Sequence, residues 1–210
     1  MKLLGKLPNK VNIAFSGGID SVVVTHFLMQ VPSRDITLFY FNHGTEHGQK
    51  AQSFCQKFAD YFDLIIVVGS INHCRLQHDD ESKEEYWREC RYQFLNRHYD
   101  APMITCHHLD DEIETWLFSA LHNYPKLIPY RRNNIIRPFL LTKKEEIREY
   151  AEKHGLKWIQ DESNDDESYP RNRIRHSIVP EALKINPGLY KVIARKVQEE
   201  YNVKEIKEVS

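Results

Sequence analysis

Apolar residues along the chain fall into two kinds of run, and the two kinds alternate. Short continuous runs at residues 11–15, 36–41, 64–68 and 103–106 have the length of strands covered on both faces. Between them lie longer segments whose apolar residues recur every three or four positions, as on one side of a helix. Ile19–Gln30 gathers Val22, Val23, Phe27 and Leu28 in this way. Ala51–Tyr61 does so with Phe54, Cys55 and Phe58, and Glu81–His98 with Trp87, Cys90, Arg91 and Phe94. Leu64–Val68 reads as a third buried strand, and Gly69–Asp80 as a polar crossover loop. Thr142 and Glu145 have capping-box spacing for a helix that ends near His154-Gly155. Lys157–Ile159 suggests a short edge strand, and Arg171–Val179 a helix that Pro180 stops or kinks. Strand and helix alternating in this order predict an α/β fold: a doubly wound, mostly parallel sheet of about five strands with helices on both faces.

Composition narrows the setting. The 210 residues suffice for one sizeable core with a small appendage, which gives a catalytic unit over 1–187 and a helical extension or exposed tail over 188–210. Charged residues make up 28% and the net charge is −1, which excludes a uniformly basic coat. A basic face gathered on one side still permits an RNA partner. The four cysteines, Cys55, Cys74, Cys90 and Cys106, contain no CxxC pair, so reduced, mostly buried thiols are expected rather than a zinc or redox centre. No apolar run has a signal-peptide or membrane-spanning pattern. A cytoplasmic protein without a membrane partner is the expectation.

Candidate chemistry begins where the first strand ends, in VNIAFSGGIDS. Ser16, Gly17, Gly18, Ile19, Asp20 and Ser21 join a strand to a helix, the arrangement in which glycines turn the backbone and helical N–H groups face an anion. The serines add hydroxyls, and Asp20 is placed to hold Mg²⁺ beside phosphates. Neither GxxxxGK[ST] nor GxGxxG is present, so this is not the loop that transfers a terminal phosphate, nor a dinucleotide fingerprint. His43 follows the second strand, with His47 four residues on. A loop lining the nucleotide pocket, a surface loop and a metal pair are the alternatives, and Gly44 argues against the regular helix a metal pair needs.

A second cluster, His107-His108-Leu109-Asp110-Asp111-Glu112-Ile113-Glu114, follows the fourth strand with six ionisable side chains in eight positions. Acidic residues at a helix start are favoured by the dipole alone. This density exceeds what a cap requires, and His107, Asp110, Asp111 and Glu114 become candidates for organising Mg²⁺ or an entering amine. Lys126–Lys144 carries six cations and no acid, with Tyr124 and Tyr130 beside it, as either a solvated loop or a polyanion contact. Arg88 and Arg91 either pair on the helix surface, Arg88 with Glu84, or face phosphates. Asp161–Glu167 carries five acids and precedes the basic run Arg171–His176, in which Arg171 and Arg175 align one turn apart.

Taken in order, SGGIDS, NHG, HHLDDEIET, EEYWRECRY, Arg137-Pro138, WIQDESN, YPRNRIRHSIVP and NPG resemble the tRNA(Ile)-lysidine synthetase family, within the PP-loop ATP pyrophosphatases, over residues 10–187. SGGIDS alone indicates only the wider PP-loop group. The resemblance implies an adenine nucleotide alpha hydrolase-like fold and a short form holding only the catalytic domain. It implies a ligase that activates C2 of the wobble cytidine with ATP and Mg²⁺, then installs free L-lysine. The implied RNA is isoleucine tRNA with a CAU anticodon, and a homodimer is one permitted assembly. Carried across, Ser16, Gly17, Gly18, Ile19, Asp20, Ser21 and His43 would bind ATP, with Asp20 and Asp111 on the metal. Asp20, His107, Asp110, Asp111 and Glu114 would surround the reaction. Glu84, Arg88, Arg91, Arg137, Asn164, Arg171, Asn172 and Arg175 would serve the RNA or amino acid. The chain departs from the family pattern at HGTEHG, where an arginine is usual, and at ALHNYPKL, where a glycine-rich stretch is usual. Another PP-loop adenylating enzyme, a tRNA thiolase or amide ligase, and a nonenzymatic ATP-dependent RNA-binding module are the alternatives.

Overall fold

A computed structural model of the chain describes residues 1–160 and 169–208. Its elements run β1 (Lys10–Ala14), α1 (Ile19–Met29), β2 (Asp35–Asn42), α2 (Glu46–Tyr61), β3 (Ile65–Ser70), a 3-10 turn (Ile71–His73), α3 (Lys83–Asn96), β4 (Met103–Ile104), α4 (Leu109–His122), β5 (Arg131–Arg132) and β6 (Ile135–Ile136). There follow α5 (Lys144–Lys153), α6 (Pro170–Arg173), a π-helical segment (Ile174–Ile178), α7 (Val179–Ile185) and α8 (Leu189–Glu208).

The strands form one sheet in the order β3-β2-β1-β4-β6-β5. All neighbours pair in parallel except β5 and β6, which close a short antiparallel hairpin at the edge. The sheet therefore has six strands rather than five, the sixth being the hairpin arm Arg131–Arg132 within the basic stretch. Strand order runs outward in both directions from β1, so the crevice beyond the ends of β1 and β4 is the place where such sheets hold ligands.

Alternate residues of β2 supply the two faces. Ile36, Leu38 and Tyr40 join Val11, Ile13 and Phe15 of β1 and Ala51, Cys55 and Phe58 of α2. Phe39 packs with Leu95 and Met103, and Phe41 with Tyr86 and Cys90 of α3. Helices thus cover both faces, and the period-two alternation is what allows this.

Several elements differ from expectation for identifiable reasons. β3 is an edge strand, with Ile65 68% and Val68 41% exposed, because nothing pairs beyond it among the described residues. Helix α2 starts at Glu46, five residues early: Thr45 caps it through Oγ1, which accepts from Gly48 N at 2.9 Å, and Gly44, with φ +77°, ends the preceding turn. Thr142 caps nothing. Its hydroxyl donates to Lys2 O and accepts from Lys2 N, both at 2.9 Å, and so ties down the N-terminal segment. Lys157–Ile159 forms no strand, yet Ile159 N donates to Gly17 O at 2.9 Å. Pro180 does not stop the helix. It occupies the opening turn of α7, where its missing N–H costs little, and the wider π segment before it takes up the change in register.

The last segment departs most. α8 is not an exposed tail: Leu189, Ile193 and Val197, four residues apart, are buried with Leu109 and Ile113 of α4. No described helix is long and apolar enough to cross a membrane.

Candidate active site

The glycine loop is built by conformation and by space together. Gly17 has φ +79°, a region that side-chained residues adopt only with strain. A Cβ there would also lie 3.0 Å from Phe54 Cδ1 and 3.2 Å from Cys55 Sγ. Ser21 Oγ accepts from Ser16 N at 3.3 Å and donates to Gly18 O at 2.9 Å, which folds the loop over the start of α1. Gly18 is the N-cap and offers no side-chain hydrogen bond, so the first N–H groups of α1 are left for a ligand.

Helix α4 starts opposite. His108 is its N-cap, and Asp111 turns back so that Oδ2 accepts from His108 N at 2.9 Å. Asp111 thereby serves the cap and the site at once. The buried His108 ring ties the two segments together: Nε2 lies 3.5 Å from both Asp20 Oδ1 and Asp111 Oδ2, and Nδ1 lies 3.7 Å from Asp110 Oδ2. Burial opposes a charge on this imidazole, but Asp111, Asp110 and Asp20 outweigh it and carry its pKa up to about 8. At neutral pH it is mostly imidazolium, an internal counter-ion to three carboxylates.

The remaining charges are also placed in pairs. Lys144 Nζ sits 2.6 Å from Asp20 Oδ1, while Lys144 N donates to Asp110 Oδ2 at 2.7 Å. Lys143, the N-cap of α5, has no acceptor in its side chain, and a carboxylate from α4 fills that role instead. The reciprocal bond expected of Glu145 is made one residue later, Glu146 Oε2 accepting from Lys143 N at 2.8 Å, while Thr142 is committed to Lys2. Burial would raise the Asp110 carboxyl, but His108, Tyr190 and Lys144 hold its pKa at about 2. Arg175 makes a two-pronged contact with the buried Glu114, Nε to Oε1 at 2.7 Å and Nη2 to Oε2 at 2.9 Å, and its Nη2 lies 3.9 Å from Asp111 Oδ1. Desolvation still raises the Glu114 pKa against that arginine.

His107 is turned the other way. Its Nδ1 shares a 3.0 Å hydrogen bond with Thr105 Oγ1. Desolvation pushes its pKa down to about 4, against Asp111 and with help from Arg137 and Arg91. Two adjacent histidines are thus held in opposite charge states. Arg91 bears on His43 in the same way: burial against Phe41 and Trp87, then Arg91, take its pKa down to about 4. His43 packs on α3 through these rings.

The family described as a PP-loop domain matches residues 2–182. The chain belongs to the PP-loop ATP-binding family. It is similar to tRNA(Ile)-lysidine synthase of Vibrio parahaemolyticus, 33% identical over 200 residues, which are 89% of this chain and 45% of that protein. A tRNA(Ile)-lysidine synthase of Persephonella marina is 34% identical over 194 residues, 86% of this chain and 43% of that one. The chain spans less than half the length of these relatives. In fold it is similar to an NH3-dependent NAD synthetase of Campylobacter jejuni, with a TM-score of 0.55 at 12% identity, over 93% of this chain and 86% of that one.

Around the PP-loop, then, Ser16–Ser21, Asp110, Asp111, Glu114 and Arg175 are brought together in space. Other candidates are placed differently. Arg137 is buried, with Nη1 donating to Pro129 O at 2.8 Å, so it braces the β5–β6 hairpin from below. Of the six cations in 126–144, Arg137 and Lys144 turn inward, and Lys126, Arg131 and Arg132 face solvent. Tyr130 packs edge-on against Tyr201 rather than standing free to stack on a base. Among the described residues Glu84 forms no ion pair with Arg88. Arg88 and Arg91 instead lie 5.7 and 5.8 Å from the centre of the Tyr92 ring. Arg171 lies 5.9 Å from the Phe118 ring, and Asn172 is buried beside it in α6. Asn164 lies outside the described residues.

Sequence reasoning chose His107 and passed over His108, Lys144 and Tyr190, whose hydroxyl donates to Asp110 Oδ1 at 2.6 Å. Position as the residue just before a helix run could have singled out His108. Nothing local marks Lys144 or Tyr190, since both reach the site across the fold.

Proposed function

We propose that this PP-loop protein is a tRNA-modifying ligase of the lysidine-forming kind, using ATP to activate a wobble cytidine for attack by lysine. The observation that carries the reading is the His108 imidazole, which sits between Asp20 of the PP-loop helix and Asp111 of the second motif at 3.5 Å from each. The pyrophosphate loop and the acidic cluster therefore share one centre, as adenylation followed by amine attack requires. Similarity to tRNA(Ile)-lysidine synthases supports the choice of RNA and amine.

In this reading the PP-loop amides and the start of α1 hold the β- and γ-phosphates while the cytidine O2 attacks the α-phosphorus. Pyrophosphate leaves with its charge met by those N–H groups. The O-adenylated ring is electrophilic at C2, and the neutral ε-amine of lysine adds there and expels AMP. The Asp111 carboxylate, desolvated yet held ionised by His108, accepts the proton the amine loses. Asp111 stands between His108 and Arg175 to orient that amine. No covalent bond to the enzyme is needed.

Among the described residues no cluster of three His, Cys, Asp or Glu side chains forms a metal cage. Asp20 Oδ1 already faces His108 and Lys144, and Asp111 Oδ2 faces His108, so the second oxygen of each carboxylate would be left for Mg²⁺, which takes one or two carboxylates and completes its shell from phosphates. When bound there it would neutralise charge on the departing pyrophosphate. Lys144, already on Asp20, contributes positive charge at the same place.

The test incubates the protein with ATP, lysine and pooled unmodified tRNA, followed by digestion and mass analysis. A lysine-sized addition at cytidine in isoleucine tRNA is expected. Pyrophosphate release that depends on another amine or a sulfur donor would move the assignment to another adenylating enzyme. ATP binding with no AMP or pyrophosphate formed from any RNA would make it a binding module.

A further inference from the structure

We propose that Tyr190, on helix α8, is a positioning residue that fixes the Asp110 carboxylate and through it the His108 ring. The proposal rests on the reading of the Asp110–His108–Asp111 group as the reactive centre. Asp110 is held at both oxygens: Oδ1 accepts from the Tyr190 hydroxyl at 2.6 Å, and Oδ2 from Lys144 N at 2.7 Å. A carboxylate gripped in this way has little freedom to rotate, and it is not free to serve as a base. It presents Oδ2 to His108 Nδ1 at 3.7 Å, a buried nitrogen that makes no hydrogen bond of its own. That contact sets the plane of the imidazole, and the plane decides where Nε2 stands between Asp20 and Asp111.

Tyr190 is itself firmly seated. The Lys143 ammonium lies 4.8 Å from the centre of its ring, and Leu189, Ile193 and Val197 anchor the same helix on α4. Helix α8 begins beyond residue 182, where the family match ends. The segment that looked least chemical thus reaches into the centre, and α8 is a working part of the catalytic unit rather than an extension of it.

Two variants of the full chain separate positioning from packing. Tyr190→Phe keeps the ring and removes only the hydroxyl, whereas Ile193→Val thins the buried face of the same helix without touching Asp110. Tyr190→Phe should lower kcat for pyrophosphate release about 10- to 100-fold, the usual effect of losing a partner that orients an active-site ligand. Its KM for ATP should stay within about twofold, since the PP-loop is untouched. In the ligand-free protein at one fixed pH, the His108 ring signals in nitrogen–proton NMR spectra should shift or broaden. Ile193→Val should lower Tm by about 3 °C and leave both readouts unchanged. Unchanged His108 signals in Tyr190→Phe would overturn the proposal, as would an equal disturbance in Ile193→Val. Because the NMR arm needs no substrate, it decides the matter even if the tRNA assay finds no lysine addition.

Discussion

Two charged regions of the molecule are built on opposite plans. At the acidic centre each carboxylate has a named partner: Asp20 has Lys144, Asp110 has Tyr190 and Lys144 N, and Glu114 has Arg175. On α3 the cations Arg88 and Arg91 lie over the Tyr92 ring, and among the described residues neither pairs with a carboxylate. Arg91 is exposed to solvent over part of its side chain, and the protein packed around the rest lowers its pKa. Groups fixed in advance are what a transition state needs, since no reorganisation is left for the reacting moment. Cations not locked into an ion pair gain when a polyanion arrives, which would suit binding a phosphate backbone. On the proposed function, the first region would serve the chemistry and the second the capture of RNA.

The sharpest way to break this contrast is to disable one region and measure the job of the other. Asp111→Asn should reduce RNA-dependent pyrophosphate release about 100- to 1000-fold, while tRNA binding in a filter or gel assay stays within about twofold. Loss of RNA affinity in this variant would mean that the two jobs share residues. Conversely, Arg88→Ala together with Arg91→Ala should weaken tRNA binding about tenfold or more. The slope of log affinity against log salt should fall by about two, one for each phosphate contact removed. An unaltered slope would remove α3 from the interface.

Next in size is the Glu114–Arg175 pair, which tests how far fixed charge at the centre also supports the fold. Arg175→Met leaves a buried carboxylate without its fork. Removing one partner of a buried pair costs up to several kcal/mol, but Arg175 is 39% exposed and Glu114 can take a proton, so about 1–2 kcal/mol is expected. Urea unfolding at pH 7 measures it. Glu114→Gln with Arg175 retained should cost less, because the amide can still accept a hydrogen bond. If both are neutral, the pair has no structural part.

How much of this was legible beforehand follows physical range. The PP-loop could be read because strand, glycines, serines and helix start are neighbours in sequence, and Gly17 must meet a local backbone demand. The HHLDD cluster was visible for the same reason. What could not be read crosses the fold. Thr142 has the spacing of a cap, but tertiary contact gives its hydroxyl to Lys2, and Asp110, 34 positions away from Lys144, takes over the capping. Arg137 looked like one of six surface cations until the hairpin buried it. The buried stripe of Leu189, Ile193 and Val197 was present in sequence, yet the dense Lys/Arg and Glu residues around it masked the period. Propensity and charge patterns report on neighbours, and a site assembled from four α-helices and a π-helical segment lies beyond them.

The smallest effect concerns the neutral member of the basic face. His43 stands among Phe41, Trp87 and Arg91, and its charge would add a third cation beside Arg88 and Arg91. Its pKa is about 4 in the folded protein against 6.5 for an unperturbed histidine, so the unfolded chain takes up this proton first as pH falls. Stability from keeping the ring neutral is present in full above pH 6.5 and is lost between 6.5 and 4, to the extent of about 1 kcal/mol after allowing for partial solvent access. His43→Phe keeps a ring against Trp87 and removes the titration. Its unfolding free energy should therefore fall less than that of the parent between pH 7 and pH 4.5, by about 1 kcal/mol. Other groups titrate in this window, notably His107, but they contribute equally to both proteins and cancel in the difference. Equal pH slopes would mean that His43 is as readily protonated in the fold as outside it. The basic face would then carry three charges rather than two in mild acid, and the salt slope of tRNA binding would steepen there in the parent but not in His43→Phe.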